Sequence, residues 1–356
     1  MNAISDVTGE AFTITVEEPG KLGTAAIEVR PLGTHEVRIK TLYSGISAGT
    51  ELTAYLGSNP YLKKRWNPET RFFEEGSASM TYPMPAIGYE EVGEVIEVGV
   101  GVTLVTVGQI VWGAWGHRSM YVAKEAWVAP RILDERVQDL RTGIFSQIGG
   151  IALNAVIDAD IHLGEYVAVF GQGVPGLMVT QMARANGAEV IAIDRLPARL
   201  DAARASGATH TINSSDVDAA IAVQAITGGR GADVTIEITG NTHALNDAIR
   251  STAANSRVVV SGFMQGEASG LFLGEEFHHN RIQLICSQIG GVSTSLDHRW
   301  DRMRLDTTAM RLQAEGRIDF GKLISHTFKV SDAQSAFDLL TVTPNDALQV
   351  VLDFTE

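Results

Sequence analysis

The spacing of apolar and polar residues changes character twice along the chain. Phe12-Thr13-Ile14-Thr15-Val16, residues 26–29 and Glu36-Val37-Arg38-Ile39-Lys40 are short strand patterns, the last alternating as a strand with one buried face does. A polar, glycine-broken turn over 43–52 leads into a short helix. Residues 57–82 interleave large aromatics with charges of both signs, which fits either a lid over a pocket or a surface excursion packed on its own domain. From Tyr82 the strand pattern resumes, and Gly99, Gly101, Gly108, Gly113 and Gly116 punctuate it at strand-length intervals. Over 137–159 the period becomes helical. Strands then alternate with helices: strands over 166–170, 189–193, 209–212, 233–238, 257–260 and 281–286, helices over 177–185, 197–205, 217–227 and 243–252. This order predicts an α/β fold, a six-stranded, doubly wound parallel sheet, preceded by a mainly-β unit. Helices over 305–315 and 331–340, the second capped by Ser331, and a strand over 347–354 complete the chain.

The first strand of the alternating part runs directly into Gly171-Gln172-Gly173-Val174-Pro175-Gly176, and the second ends in Asp194. Strand, glycine turn, helix, strand and acid are the parts of a dinucleotide site. Gly171 permits the tight turn, Gly173 lets backbone approach a pyrophosphate, and Gly176 lets helix pack on strand. Free N–H groups at the helix start, that of Val174 among them, then face the anion. Asp194 is spaced to accept hydrogen bonds from a ribose diol. Its carboxylate repels a 2′-phosphate and so favours NAD over NADP, whereas Arg195 directly after it can stack on adenine or bind phosphate, which leaves NADP open.

A chain of 356 residues has room for two domains. A formal charge of −14 and a pI near 5.1 argue against a nucleic-acid partner. The apolar run over 166–182 is interrupted by Gly171, Gly173, Pro175 and Gly176, so no membrane span is expected there or elsewhere. Residues 1–10 have neither a basic nor an apolar stretch, and no secretory signal is expected. Cys286 is the only cysteine, which excludes an intrachain disulfide and a multi-thiolate zinc site and makes the cytoplasm the expected location.

The β unit followed by a dinucleotide domain and a C-terminal return resembles the medium-chain dehydrogenase/reductase superfamily over essentially the whole chain. Ser44 to Leu52 is similar to that family's Cys-Gly-Thr-Asp-Leu turn and Gly88-Tyr89-Glu90 to its Gly-His-Glu. Gly231 to Gly240 resembles its Gly-Ala-Asp-Val-Val-Ile-Glu-Ala-Thr-Gly strand, and residues 331–340 its last helix. The resemblance implies a GroES-like catalytic domain over 1–150 and 293–356 and a Rossmann domain over 151–292. Thr239, Gly240, Gly262 and Phe263 end strands on the side where the family's nicotinamide lies, so backbone contacts to the cofactor are implied there, and Asn213 is placed near adenine. His278-His279 reads as a turn.

Departures from the family pattern carry equal weight. Ala48 stands where zinc-dependent members carry cysteine, Tyr89 where they carry histidine, and Ser146-Gln147 supply no third ligand. The four-cysteine lobe is missing between Trp112 and His117. No zinc is therefore expected, and a hydrogen-bond donor has to polarise the substrate oxygen. The resemblance nominates Tyr89 as proton donor or acceptor and Thr50 as relay or orienter; Tyr89 as a residue that only fills the lost metal site is the competing reading. Glu90 orients neighbours or bridges to a base, and His117 is a second acid/base group or an exposed loop histidine. The words Ser-Gly-Ile-Ser-x-Gly-Thr-Glu and Gly-Tyr-Glu resemble the zinc-free branch that includes the hydroxyethyl bacteriochlorophyllide dehydrogenases. Alcohol/ketone interconversion on a small-molecule substrate is the implied reaction. An enoyl or quinone reductase and a catalytically silent nucleotide-binding protein are the alternatives. The family's habit of pairing its sixth strand, here residues 281–287, implies a homodimer.

Overall fold

The computed structural model describes residues 11–76 and 78–355. The chain divides into two compact units, Met1–Gln147 with Ile324–Glu356, and Ile148–Leu323.

In the first unit, Phe12–Glu18 and Lys21–Ala26 form an antiparallel pair, and a larger sheet is built around the long strand Glu36–Ile46. That strand pairs antiparallel with Glu91–Val98, Met120–Lys124 and Gln349–Asp353, so the C-terminal strand closes the sheet against Ser44 and Ile46. One core gathers Ile14, Val16, Ile46, Tyr55, Phe337 and Leu352, another Val37, Ile39, Val95, Val111 and Trp115. The alternation over 36–40 does not translate into a solvated face. Arg38 is buried, its Nε donates to Glu97 at 2.8 Å and its Nη2 to the Arg30 carbonyl at 2.7 Å, which is how a guanidinium is tolerated there. The last helix starts at Ala333 rather than at a Ser331 cap, because Val330–Asp332 is a 3₁₀ turn.

The aromatic excursion forms a hairpin of Lys64–Asn67 and Phe72–Glu75, tied by Arg65–Glu74 and Lys64–Glu75. Its aromatics lie mostly in water, Phe72 at 72% exposure.

In the second unit six parallel strands run in the order His210–Asn213, Glu189–Asp194, Tyr166–Phe170, Ala232–Glu237, Thr252–Val260, Gln283–Cys286, the doubly wound order expected. The third, fourth and sixth strands start at His210, Ala232 and Gln283, within two residues of the sequence reading, and the fifth begins well before it, at Thr252. The helical stretch Leu140–Asp158 has the length and apolarity of a membrane span, with 72% of that window buried inside the protein.

The C-terminal return begins at Ile324, not at 293 as expected. Helix Arg302–Ala314 stays with the second unit because it packs on a glycine pair. A Cβ at Gly149 would come within 2.9 Å of Ala309, and one at Gly150 would strike the Asp306 carboxylate. Gln181 then fastens the following turn, donating to the Asp319 carbonyl at 3.1 Å and accepting from the Asp319 amide at 2.7 Å.

Candidate active site

In the second unit the glycine loop has the geometry that its spacing implies. Gly171 adopts φ +94°, a conformation that L side chains avoid, and a Cβ at Gly176 would collide with the Gly171 carbonyl. At Gly173 the space is open, with only Arg199 Nη1 at 4.0 Å from an added Cβ. Gly173 caps helix Val174–Ala185 without a side chain, leaving Val174 and the N-terminal turn uncovered, with Pro175 in the first turn where no N–H is needed.

Asp194 Oδ2 accepts from the Gln172 amide at 2.7 Å, and Oδ1 accepts from the amides of Arg195 at 2.7 Å and Leu196 at 3.0 Å. One carboxylate thus ties the glycine loop to the turn after the second strand and keeps lone pairs for a diol. Gln172 is buried, donating to the Val169 carbonyl and accepting from Thr180 Oγ1 at 2.9 Å. Thr239 touches the loop, since a Cβ on Gly171 would lie 2.6 Å from its methyl. Glu237 collects the amides of Thr239 at 2.7 Å and Gly240 at 3.1 Å together with the Thr239 hydroxyl. Burial raises the Glu237 pKa against those bonds. Gly262 abuts Gly240, and Gly240 in turn meets the Phe263 carbonyl, so Thr239, Gly240, Gly262 and Phe263 form one continuous rim. Asn213 ends its strand in register with Asp194. Gln172, Thr180 and Glu237 escaped the sequence reading, which looks for loop glycines and not for the polar groups that hold them.

In the first unit Tyr89 and Thr50 are brought together. Thr50 precedes helix Glu51–Tyr55 without a side-chain capping bond, and its Oγ1 accepts from the Tyr89 hydroxyl at 3.4 Å. A shorter hydrogen bond joins the Tyr89 hydroxyl to Ser47 Oγ, a partner not foreseen from the sequence. Behind them lies a buried set of acids. Glu51 Oε1 accepts from the Ser47 amide at 2.8 Å, and its Oε2 meets His117 Nε2 at 2.7 Å. His117 Nδ1 reaches Ser44 Oγ at 2.6 Å, and that hydroxyl also reaches Glu91 Oε1 at 3.1 Å. Glu91 accepts in addition from the amides of Glu90 at 3.1 Å and Trp115 at 2.6 Å.

The exposed-loop reading of His117 is therefore wrong: it has no solvent exposure, because the shortened turn at Trp112 to His117 folds inward onto Glu51. Glu90 does not bridge to a base. It is buried, it forms no ion pair among the described residues, and its Oε2 has no partner.

Burial, reinforced by Glu51 and Glu91, drives the Glu90 pKa far above the carboxylate range. Burial also lifts Glu91 to about 7 against the pull of His117. For His117, burial opposes charge, but Glu51 outweighs it and the imidazole is more basic than usual. Tyr89 is raised well above an ordinary phenol by burial and by Glu90, with Ser47 and Thr50 pulling back only in part. At neutral pH the phenol carries its proton.

The zinc-ligand positions do not fit the metal. Ala48 presents a methyl, Tyr89 a protonated phenol and Ser146 a buried hydroxyl, and among the described residues no group of three or more His, Cys, Asp or Glu is placed to hold an ion.

Residues 175–304 match the model of the zinc-binding dehydrogenase family. D-guloside 3-dehydrogenase of Escherichia coli is 27% identical over 321 residues, covering 87% of this chain and 90% of that protein. Sorbitol dehydrogenase 1 of Saccharomyces cerevisiae is 30% identical over 361 residues, covering 89% of this chain and 92% of its own. Among solved structures, an E. coli oxidoreductase/dehydrogenase of unknown specificity involved in membrane biogenesis superposes with a TM-score of 0.80 at 19% identity, over 97% of this chain and 99% of that one. A likeness of this extent, on a sheet of this order, makes the chain a dehydrogenase of the medium-chain dehydrogenase/reductase superfamily.

Proposed function

We propose that this dehydrogenase transfers hydride between NAD and an alcohol or ketone without zinc, using Tyr89 as the proton donor to the substrate oxygen in reduction and the acceptor in oxidation. The observation that carries the reading is the Tyr89 hydroxyl, hydrogen-bonded to Ser47 and Thr50 and kept protonated by its buried surroundings. NAD(H), when bound, supplies the hydride acceptor or donor. Everything else falls to the chain.

Charge that develops on the substrate oxygen needs a donor aimed at it, and a phenol with its proton in place provides one. As the proton leaves, Ser47 and Thr50 hydroxyls hydrogen-bond the phenolate and hold its position. Glu90, buried with its Oε2 unpartnered and its pKa pushed up by burial, backs the site. Gly171, Gly173 and Gly176 would admit the pyrophosphate at the start of helix Val174–Ala185, and Asp194 would take the ribose diol in preference to a 2′-phosphate.

Titration of metal-analysed protein with NADH and with NADPH, followed by nicotinamide fluorescence, tests the cofactor assignment. Tighter binding of NADH by a protein without stoichiometric zinc is expected. Failure to bind either nucleotide, or one zinc per chain, refutes the reading.

A further inference from the structure

Tyr89 shares a cavity with a guanidinium whose buried Nε has no hydrogen-bond partner among the described residues. The cavity, about 330 Å³, is lined by Ile87, Tyr89, Trp115, Arg118 and Tyr121 among others, and lies within the first unit. Its volume is at the lower end of the range for small-molecule sites. Arg118 Nε is buried and makes no hydrogen bond. The guanidinium's recorded contact is with the face of Tyr121, 5.9 Å from the ring centroid, and no carboxylate lies within ion-pair distance among the described residues. The buried acids of the neighbouring cluster do not serve it: Glu51 is taken by His117 and the Ser47 amide, Glu91 by Ser44, Trp115 and Glu90.

Its backbone is fixed. The His117 amide donates to the Ile87 carbonyl at 2.8 Å, the His117 carbonyl accepts from Ile14 at 2.8 Å, and Arg118 forms a bridge with Thr13. Gly116, at φ +86°, leaves room beside the guanidinium, since a Cβ there would be 3.6 Å from both Nε and Nη2. A buried charged donor left unsatisfied is costly, and the planar fork of arginine matches a two-oxygen anion.

We propose that Arg118 binds an anionic substituent, a carboxylate or a phosphate, of the substrate whose carbinol or carbonyl oxygen faces Tyr89. The inference rests on the oxidoreductase reading above and adds the chemical class of its substrate. Trp115, Tyr121 and Ile87 give the rest of that molecule an apolar and aromatic wall, suited to the CH faces of a ring.

The test uses the full chain saturated with NAD and three probes, D-glucose, D-glucuronate and D-glucose 6-phosphate, in calorimetric titrations and in assays of NADH formation. The parent should bind one or both anionic probes more tightly than glucose, the better one identifying carboxylate or phosphate. Arg118→Gln should weaken that binding roughly 10- to 100-fold, with Arg118→Lys between the two, at unchanged melting temperature. Equal binding of the anionic probes by parent and Arg118→Gln overturns the proposal. A variant that melts early is replaced in the comparison by Arg118→Lys, whose failure to weaken binding at all also overturns it. Arginine-dependent anion binding with no oxidation of any of the probes would count against alcohol oxidation at Tyr89 and leave the anion site standing. Oxidation of neutral and anionic alcohols at equal KM would do the reverse.

Discussion

Replacing Tyr89 by phenylalanine removes a single oxygen, and two consequences of very different size follow. The hydroxyl makes two hydrogen bonds, to Ser47 and to Thr50, and each is worth about 1 kcal/mol net. Ser47 and Thr50 are hydroxyls that can turn to other partners, so the loss of stability should not exceed about 2 kcal/mol, a shift of a few degrees in Tm for a chain of this size. The chemical step loses its proton donor, and general acid catalysis of this kind contributes about 10²- to 10⁴-fold, or about 3–5 kcal/mol of barrier. Single-turnover reduction of a ketone by preloaded NADH, read by nicotinamide absorbance, isolates that step from product release. The parent's reduction rate should stay flat through neutral pH, because burial keeps the phenol protonated. Its oxidation rate should climb with pH for the same reason. A variant whose chemical step stays within ~2-fold of the parent at every pH would refute the donor role and return Tyr89 to a packing residue.

The buried acids predict an unusual pH dependence of stability. Glu91 is raised from 4.5 to about 7, so between those values the folded state holds a proton that the unfolded state has lost, and stability falls as pH rises. The shift corresponds to about 3 kcal/mol by pH 7, and His117, also raised, continues the loss above it. Glu36, drawn down to about 2 by Arg30, contributes stability that is lost only below this window. A urea midpoint that rises between pH 5 and pH 8 contradicts the assignment. The glycine loop separates two effects: Gly173→Ala should leave the melting temperature within a degree or two and weaken NADH binding at least about 10-fold, whereas Gly176→Ala should destabilise the fold itself. Equal melting of the two variants would show that the loop is not packed as described. The edge strand Gln283–Cys286, paired on one side only with Thr252–Val260, is proposed to join two copies of the chain. Light scattering should give twice the chain mass, and Leu284→Pro should halve it; a monomeric parent removes the proposal.

The parts legible in the sequence are those whose physics is local. The loop from Gly171 to Gly176 and the acid at Asp194 lie on consecutive elements, and a turn that needs φ above zero leaves glycine as its trace. The six-stranded parallel sheet followed from the alternation of strands and helices. What stayed hidden is assembled from distant segments: Ser44 comes from the end of the long strand, Ser47 from the turn after it and Glu51 from the short helix that follows, Tyr89 to Glu91 from a strand start, and Trp115 to Arg118 from a turn. Nothing in a polar residue's neighbours says whether it will be solvated or buried, so the sequence left His117 open between an acid/base group and an exposed loop histidine. The domain boundary failed for a related reason. Helix Arg302–Ala314 carries a helical pattern whichever unit it joins, and its choice is made by Gly149, Gly150 and Gln181, more than a hundred residues earlier.

The hairpin of Lys64–Asn67 and Phe72–Glu75 is closed at its base by one residue, since the Tyr61 carbonyl accepts from the amides of both Ser79 at 3.0 Å and Met80 at 3.1 Å. Chain enters and leaves at the same point. Such a loop is topologically a cassette: it can be lengthened, trimmed or exchanged without altering the path of the strands on either side. A graft that replaces the hairpin between Tyr61 and Met80 is therefore the natural unit in which to exchange it, with every strand of the sheet left in place.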